Sequence, residues 1–213
     1  MPNWCTNRID IEGPVNQVKS FMQIVNEDLD GSTPRIVNFM PMPEMLEGTT
    51  SPSPKSEVFD EDGRLMGYVN DPDNSNWDMD LYEKRKAEHA VAWEKTKVIL
   101  AETGHTDWYS WANSDTNWGT KWGDCETYFD EPYEGKECAF VSGGFQTAWG
   151  PLSQNFWLTV SRTLPDLQIV VSYTEEGMCF EGAMSFKGGE CFYDECTEMT
   201  AHHGQAYSAL QDA

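Results

Sequence analysis

The sequence predicts an α+β sandwich of ferredoxin-like type: an antiparallel or mixed sheet with two helices on one face, broken by a helical, aromatic-rich insertion. Three observations point there. A β-α-β block opens the chain, a β-α-β-β block closes it, and the stretch between them changes character. Residues 1–50 and 137–197 are expected to supply the sheet and its helices. Residues 51–136 are the insertion and 198–213 a tail, all within a single domain of 213 residues.

The first strand is read at Trp4–Ile11, where Cys5, Asn7, Ile9 and Ile11 alternate with Arg8, Asp10 and Glu12. Gly13-Pro14 ends it. Val15, Val18, Met22 and Val25 then recur at helical spacing with Phe21 beside them. RIVNFM (35–40) is expected as a second strand, left through the prolines of PMPEML. TTSPSPKS (49–56) is a linker by composition, and FDEDGRLMGYV predicts a small hairpin around Asp62-Gly63. A long helix is predicted over 79–103, stopped by Gly104, with an apolar line through Ala87, Val91, Val98 and Ala101. In the closing block, CAFVSGGF (138–145) is a strand weakened or bulged at Gly143-Gly144. Pro151 is placed to open a helix that Pro165-Asp166 stops. LQIVVSYT (167–174) and MCFEGAMSF (178–186) form a hairpin, and ECFYDEC adds a last short strand.

With 36 acids against 14 bases the formal net charge is −22, which repels nucleic-acid phosphates and anionic membranes and attracts basic partners. Solubility accounts for such a surface, and so does imitation of nucleic acid in a basic groove. The candidate interaction surface is Asp60, Glu61, Asp62, Asp71, Asp73, Asp130 and Glu131. The long helix is the one basic element: it holds Lys84, Arg85, Lys86, Lys95 and Lys97, set to face the protein's own acids or, as the alternative, a phosphate. No signal segment or apolar span is expected, which places the protein in the cytoplasm with its six cysteines reduced.

Chemical motifs are sparse. Cys191, Cys196, His202 and His203 lack a usual zinc spacing. In DPDNSNWDMDLYE, Asn76 and Tyr82 stand where a calcium loop needs glycine and glutamate. Neither a G-x-S-x-G elbow nor a phosphate loop occurs, so no catalytic residue, metal or cofactor is assigned. What stands out is aromatic. Trp108, Trp111, Trp118, Trp122 and Trp149 crowd together, and NWGTKWG sets Lys121 between two tryptophans. Such a segment can be a fastener, with Trp118, Trp122 and Trp149 packed against the sheet and Lys121 held by an acid. It can instead be a ligand site of Trp118, Lys121, Trp122, Gln146 and Trp149. Under the first reading Trp122→Ala costs about 3–5 kcal/mol.

MPNWCTNRIDIEG, FMPMPEML, NWGTKWG, and FQTAWGPL followed by LPDLQIVVSYTEEGMCFEG occur in one order, over about residues 1–50 and 110–185. Together they resemble a family of unknown function carried by bacteriophages and conjugative plasmids, described as having a C-terminal ferredoxin-like domain. The resemblance implies an accessory protein of a mobile element in a bacterial host cell, and it supplies no catalytic residues. Combined with the charge, it leads to an expected non-enzymatic protein that occupies or inhibits a host macromolecule with a basic surface, such as a restriction or CRISPR nuclease complex. The alternative is a protein that sequesters a nucleotide-like ligand at its tryptophan-rich loop.

Overall fold

The computed structural model describes residues 2–27, 33–51, 57–59, 65–68 and 79–199. Its elements, in chain order, begin with β1 (Trp4–Pro14), α1 (Val15–Val25), β2 (Glu57–Phe59), β3 (Leu65–Tyr68), α2 (Met79–Thr103) and α3 (Trp108–Ala112). There follow β4 (Cys125–Phe129), β5 (Tyr133–Glu134), β6 (Cys138–Ala148), α4 (Gln154–Thr163), β7 (Gln168–Glu175), β8 (Phe180–Lys187) and β9 (Glu190–Glu198). Two compact units result: Met1–Pro41 with Ala112–Ala213, and Met42–Trp111.

The first unit is built on a seven-stranded sheet in the order β4-β6-β1-β7-β8-β9, with β5 also on β6 and every pairing antiparallel. The expected α+β class, an antiparallel sheet with helices, is observed. Period-2 alternation sends Cys5, Asn7, Ile9 and Ile11 inward, all buried, and α1 and α4 pack over that side. Phe21 of α1 meets Phe129 edge-on at 5.5 Å, while Trp157 of α4 lies between Phe145 (6.2 Å) and Phe186 (6.5 Å). Each such side chain contributes roughly 1.5–3 kcal/mol by leaving water.

Three local readings are corrected. RIVNFM is not a strand: Ile36–Phe39 is a single 3-10 turn. The buried Asp124 carboxylate accepts the Ile36 and Val37 N–H groups, both at 2.9 Å, and so takes donors that a ladder would need. The strand role falls to β4, which lies inside the stretch expected as insertion. The Gly143-Gly144 pair makes no bulge in β6, which stays in register with β1 from Cys138 to Ala148. The irregularity is across from it, between Cys125 and Tyr128 of β4. The glycines are there because a Cβ on Gly143 would stand 2.5 Å from the Tyr128 carbonyl, and one on Gly144 would stand 2.8 Å from the Tyr128 ring. Lastly, Pro151 does not open α4. Ser153 is the N-cap, its Oγ accepting the Phe156 N–H at 3.0 Å.

In the second unit β2 and β3 pair antiparallel, with Glu57 opposite Tyr68, while the turn expected at Asp62-Gly63 lies outside the described residues; α2 packs against β2. Gly104 (φ +74°) ends α2, donating its N–H to Leu100 at 2.9 Å. The apolar line expected along α2 is a correction: Val91 and Val98 are about 60% exposed, while Thr96 is buried and Trp93 and Ile99 are half-buried. The helix mixes polar and apolar residues on every side, so its pattern carries no clear inner face. Of its bases, Lys97 pairs with Glu94 of the same helix at 2.6 Å, a contact of about 0.2–0.5 kcal/mol.

Candidate functional site

The segment from Asn117 to Asp124 is held by Ser153, whose Oγ–H and N–H donate to the Asn117 and Trp118 carbonyls at 2.5 and 2.7 Å, and by three side-chain ties of its own. The Trp118 indole is buried, and its Nε1–H donates to the Met40 carbonyl at 2.8 Å. The Thr120 hydroxyl donates to Ala148 O at 2.9 Å and accepts the Ala148 N–H at 3.1 Å, closing the end of β6. Asp124 holds the 3-10 turn and accepts the Thr127 hydroxyl at 2.5 Å. Two left-handed glycines let the chain thread between these ties. At Gly119 (φ +73°) a Cβ would stand 2.9 Å from Ser153, and at Gly123 (φ +67°) it would stand 2.6 Å from Val37.

Between the second and third ties the chain presents Lys121 and Trp122 outward. Trp122 stacks on Trp149 (6.0 Å, 25°) and tilts against Trp4 (6.0 Å, 38°). Lys121 Nζ lies 4.6 Å from the Trp122 ring centroid and 5.8 Å from that of Trp149, within cation–π range. Trp4, Trp122 and Trp149 are 44%, 37% and 38% exposed. The three adjoining half-exposed indoles form one apolar patch at the surface. Trp149 sits at φ +65°, its N–H donating to Asn3 O at 2.8 Å. A left-handed tryptophan costs of order 1–2 kcal/mol and persists only where the surroundings impose it.

Trp4 is also one wall of a cleft of about 540 Å³. It is lined as well by Thr6 of β1 and Gln146 of β6, joined by hydrogen bonds of 3.2–3.3 Å, and by Glu126, Glu175 and Glu176. Glu175 is buried and spoken for: its carboxylate accepts the N–H groups of Gly177 (2.9 Å) and Met178 (2.5 Å). Glu126 is exposed and, like Trp149, left-handed, at φ +52° in the irregular part of β4. The chemistry on offer is aromatic and anionic. Burial and the nearby Asp124 push the Cys125 thiol up, and burial pushes the Cys5 thiol to about 12, so both are neutral at neutral pH rather than nucleophilic.

The sequence-derived ligand set is thus divided. Lys121, Trp122 and Trp149 come together and Gln146 lines the adjoining cleft, whereas Trp118 is buried in the fastening. Trp122 and Trp149 pack on each other but are partly exposed, whereas Trp118 is buried as the packing reading expects. Of the acidic set, Asp130 and Glu131 are exposed beside β4 and β5, while Asp60, Glu61, Asp62, Asp71 and Asp73 lie outside the described residues. His202 and His203 lie outside them too; among the described residues no group of three or more His, Cys, Asp or Glu is placed to hold a metal ion. Trp4 and the rim glutamates are additions. A signal for Trp4 was present: it shares the outward register of Arg8 and Asp10.

Among the described residues no helix is long and apolar enough to cross a membrane. No protein-family model matches the chain, and no curated protein matches it. Among solved structures it is similar to the crystal structure of protein api92 from Yersinia pseudotuberculosis, of the family model DUF1281. The two share 11% identity at a TM-score of 0.48, over 96% of this chain and 100% of that one.

Proposed function

We propose that this chain is a non-enzymatic binding protein that docks a basic segment of a host protein on its tryptophan platform and acidic cleft. The observation that carries the proposal is the placement of three half-exposed indoles beside a cleft rimmed by Glu126, Glu175 and Glu176. Exposed aromatics supply rigid contact area, and carboxylates select cations. The net charge of −22 steers basic partners toward the molecule and repels polyanions. In the setting implied by the motif resemblance, the protein acts in the cytoplasm of a bacterial host as a phage- or plasmid-encoded accessory. Its target is a host macromolecule such as a defence nuclease complex, whose basic groove it occupies. The ferredoxin-like assignment belongs to the same proposal. It is supported by the chain order β1-α1-β4-β6-α4-β7, which reads β-α-β-β-α-β, with both helices on one face.

A second reading, sequestration of a nucleotide-like ligand, is favoured by Lys121 over two indoles. The glutamate rim opposes it, since phosphate would meet like charge. Tryptophan emission titrated with an arginine- and lysine-rich peptide, an acidic peptide and ATP separates the two. The expected result is saturable binding of the basic peptide alone, weakening as salt rises. Binding of ATP with a raised melting temperature, and none of the basic peptide, overturns the proposal in favour of the nucleotide.

A further inference from the structure

Resting on that reading, the geometry points to an arginine side chain as the group the cleft takes, with Glu126 as the residue that specifies it. Each oxygen of the buried Glu175 carboxylate already accepts an N–H of its own turn, which leaves the exposed Glu126 and Glu176 to meet a guest. Glu126 accepts no hydrogen bond from a described residue and is exposed at the cleft's edge. Its backbone is left-handed, a conformation glycine adopts without penalty and glutamate does not. A bulge that re-aims a side chain, occupied by the wrong residue for stability, is a feature of recognition sites.

The guest's chemistry follows from the walls. Trp4 and Glu126 line one cleft of about 540 Å³, an indole and a carboxylate with room for a side chain rather than a folded element. A guanidinium is planar, stacks on indole and bonds a carboxylate with two parallel N–H groups; an ammonium does neither as well. The compact ammonium of Lys121 already lies over the Trp122 face, next to this cleft rather than in it.

The test uses the full chain and three short uncharged-backbone peptides that differ only in carrying two arginines, two lysines or two citrullines. Binding is read by calorimetry against wild type, Glu126→Gln and Glu126→Gly. The expected order is arginine over lysine by at least about fivefold, with citrulline unbound. Glu126→Gln is expected to weaken the arginine peptide about tenfold with an unchanged melting temperature. Glu126→Gly is expected to weaken it equally while raising the melting temperature by about 2–4 °C, since the strain is relieved. Equal binding of the arginine and lysine peptides, or full-strength binding by Glu126→Gln, overturns the inference while leaving the basic-partner reading intact. Failure of wild type to bind either cationic peptide overturns that reading itself.

Discussion

Trp118 and Trp122 sit four residues apart in one segment, and their truncation should separate fastening from display. Trp118 is 8% exposed and Trp122 37% exposed. A tryptophan buries up to about 200 Å², so at roughly 25 cal/mol per Å² the covered area alone is worth about 4.5 kcal/mol at Trp118 and about 3 at Trp122. Two further effects fall only on Trp118. Its removal leaves an enclosed cavity, and it strands the Met40 carbonyl that its Nε1–H now satisfies. At Trp122, water and the neighbouring half-exposed indoles fill the space, which lowers the cost to about 1.5–2.5 kcal/mol. Trp118→Ala should therefore be less stable than Trp122→Ala by about 2 kcal/mol or more. With a urea dependence near 2 kcal/mol/M, that difference appears as about 1 M between the two midpoints. Far-UV circular dichroism is the suitable probe, because each substitution removes a fluorophore. Coincident midpoints would refute the division of this segment into a buried tie and an exposed platform.

Two other expectations concern stability. Cys5 titrates at about 12 in the folded chain against an ordinary 9.0, chiefly through burial. The unfolded thiol therefore loses its proton first, and stability falls as pH rises from 9 towards 12, by about 2 kcal/mol near pH 10.5 from this group. Tyr173, also raised by burial, adds a loss of the same sign at higher pH. Urea midpoints at pH 8 and pH 10.5 check this: Cys5→Ala should fall less than wild type, and an equal fall removes Cys5 as the cause. Asp124→Asn replaces one acceptor oxygen with an amide that faces a backbone N–H, costing about 2–3 kcal/mol. Amide exchange at Ile36 and Val37 should quicken in that variant; unchanged exchange there would show that the carboxylate is not what holds the turn.

Much of the fold was legible because it rests on short-range periodicity. The alternation of β1, the stripe of α1, the β7–β8 hairpin and the stop of α2 at Gly104 all lie within windows of a few residues. What could not be read depends on partners distant in the chain. RIVNFM has strand composition, yet Asp124, 87 and 88 residues away, takes its N–H groups. Gly143-Gly144 looks like a weakness until the Tyr128 and Phe129 side chains that need the space are known. The site was half visible for the same reason. Lys121 and Trp122 are adjacent and conspicuous, but Trp4 and the rim glutamates join them only through pairing across the sheet. Nor does a tryptophan's identity say which of its neighbours will cover it. The two outcomes at Trp118 and Trp122 follow from the hydrogen-bonded ties on either side of Lys121.

The position of β1 has a consequence for biosynthesis. It lies inside the sheet, between β6 and β7, and both partners follow it at long range: Asp10 bonds Ser142, 132 residues downstream, and β7 comes later still. At roughly 5–20 residues per second the ribosome needs on the order of ten seconds to supply the first of them. Throughout that interval β1, with one apolar face, has neither β6 nor β7 to pair with, while all of Met42–Trp111, a compact unit in itself, is completed behind it. β1 waits on the residues that also place Trp149 beside it, so the platform and the core of the sheet are completed in the same step.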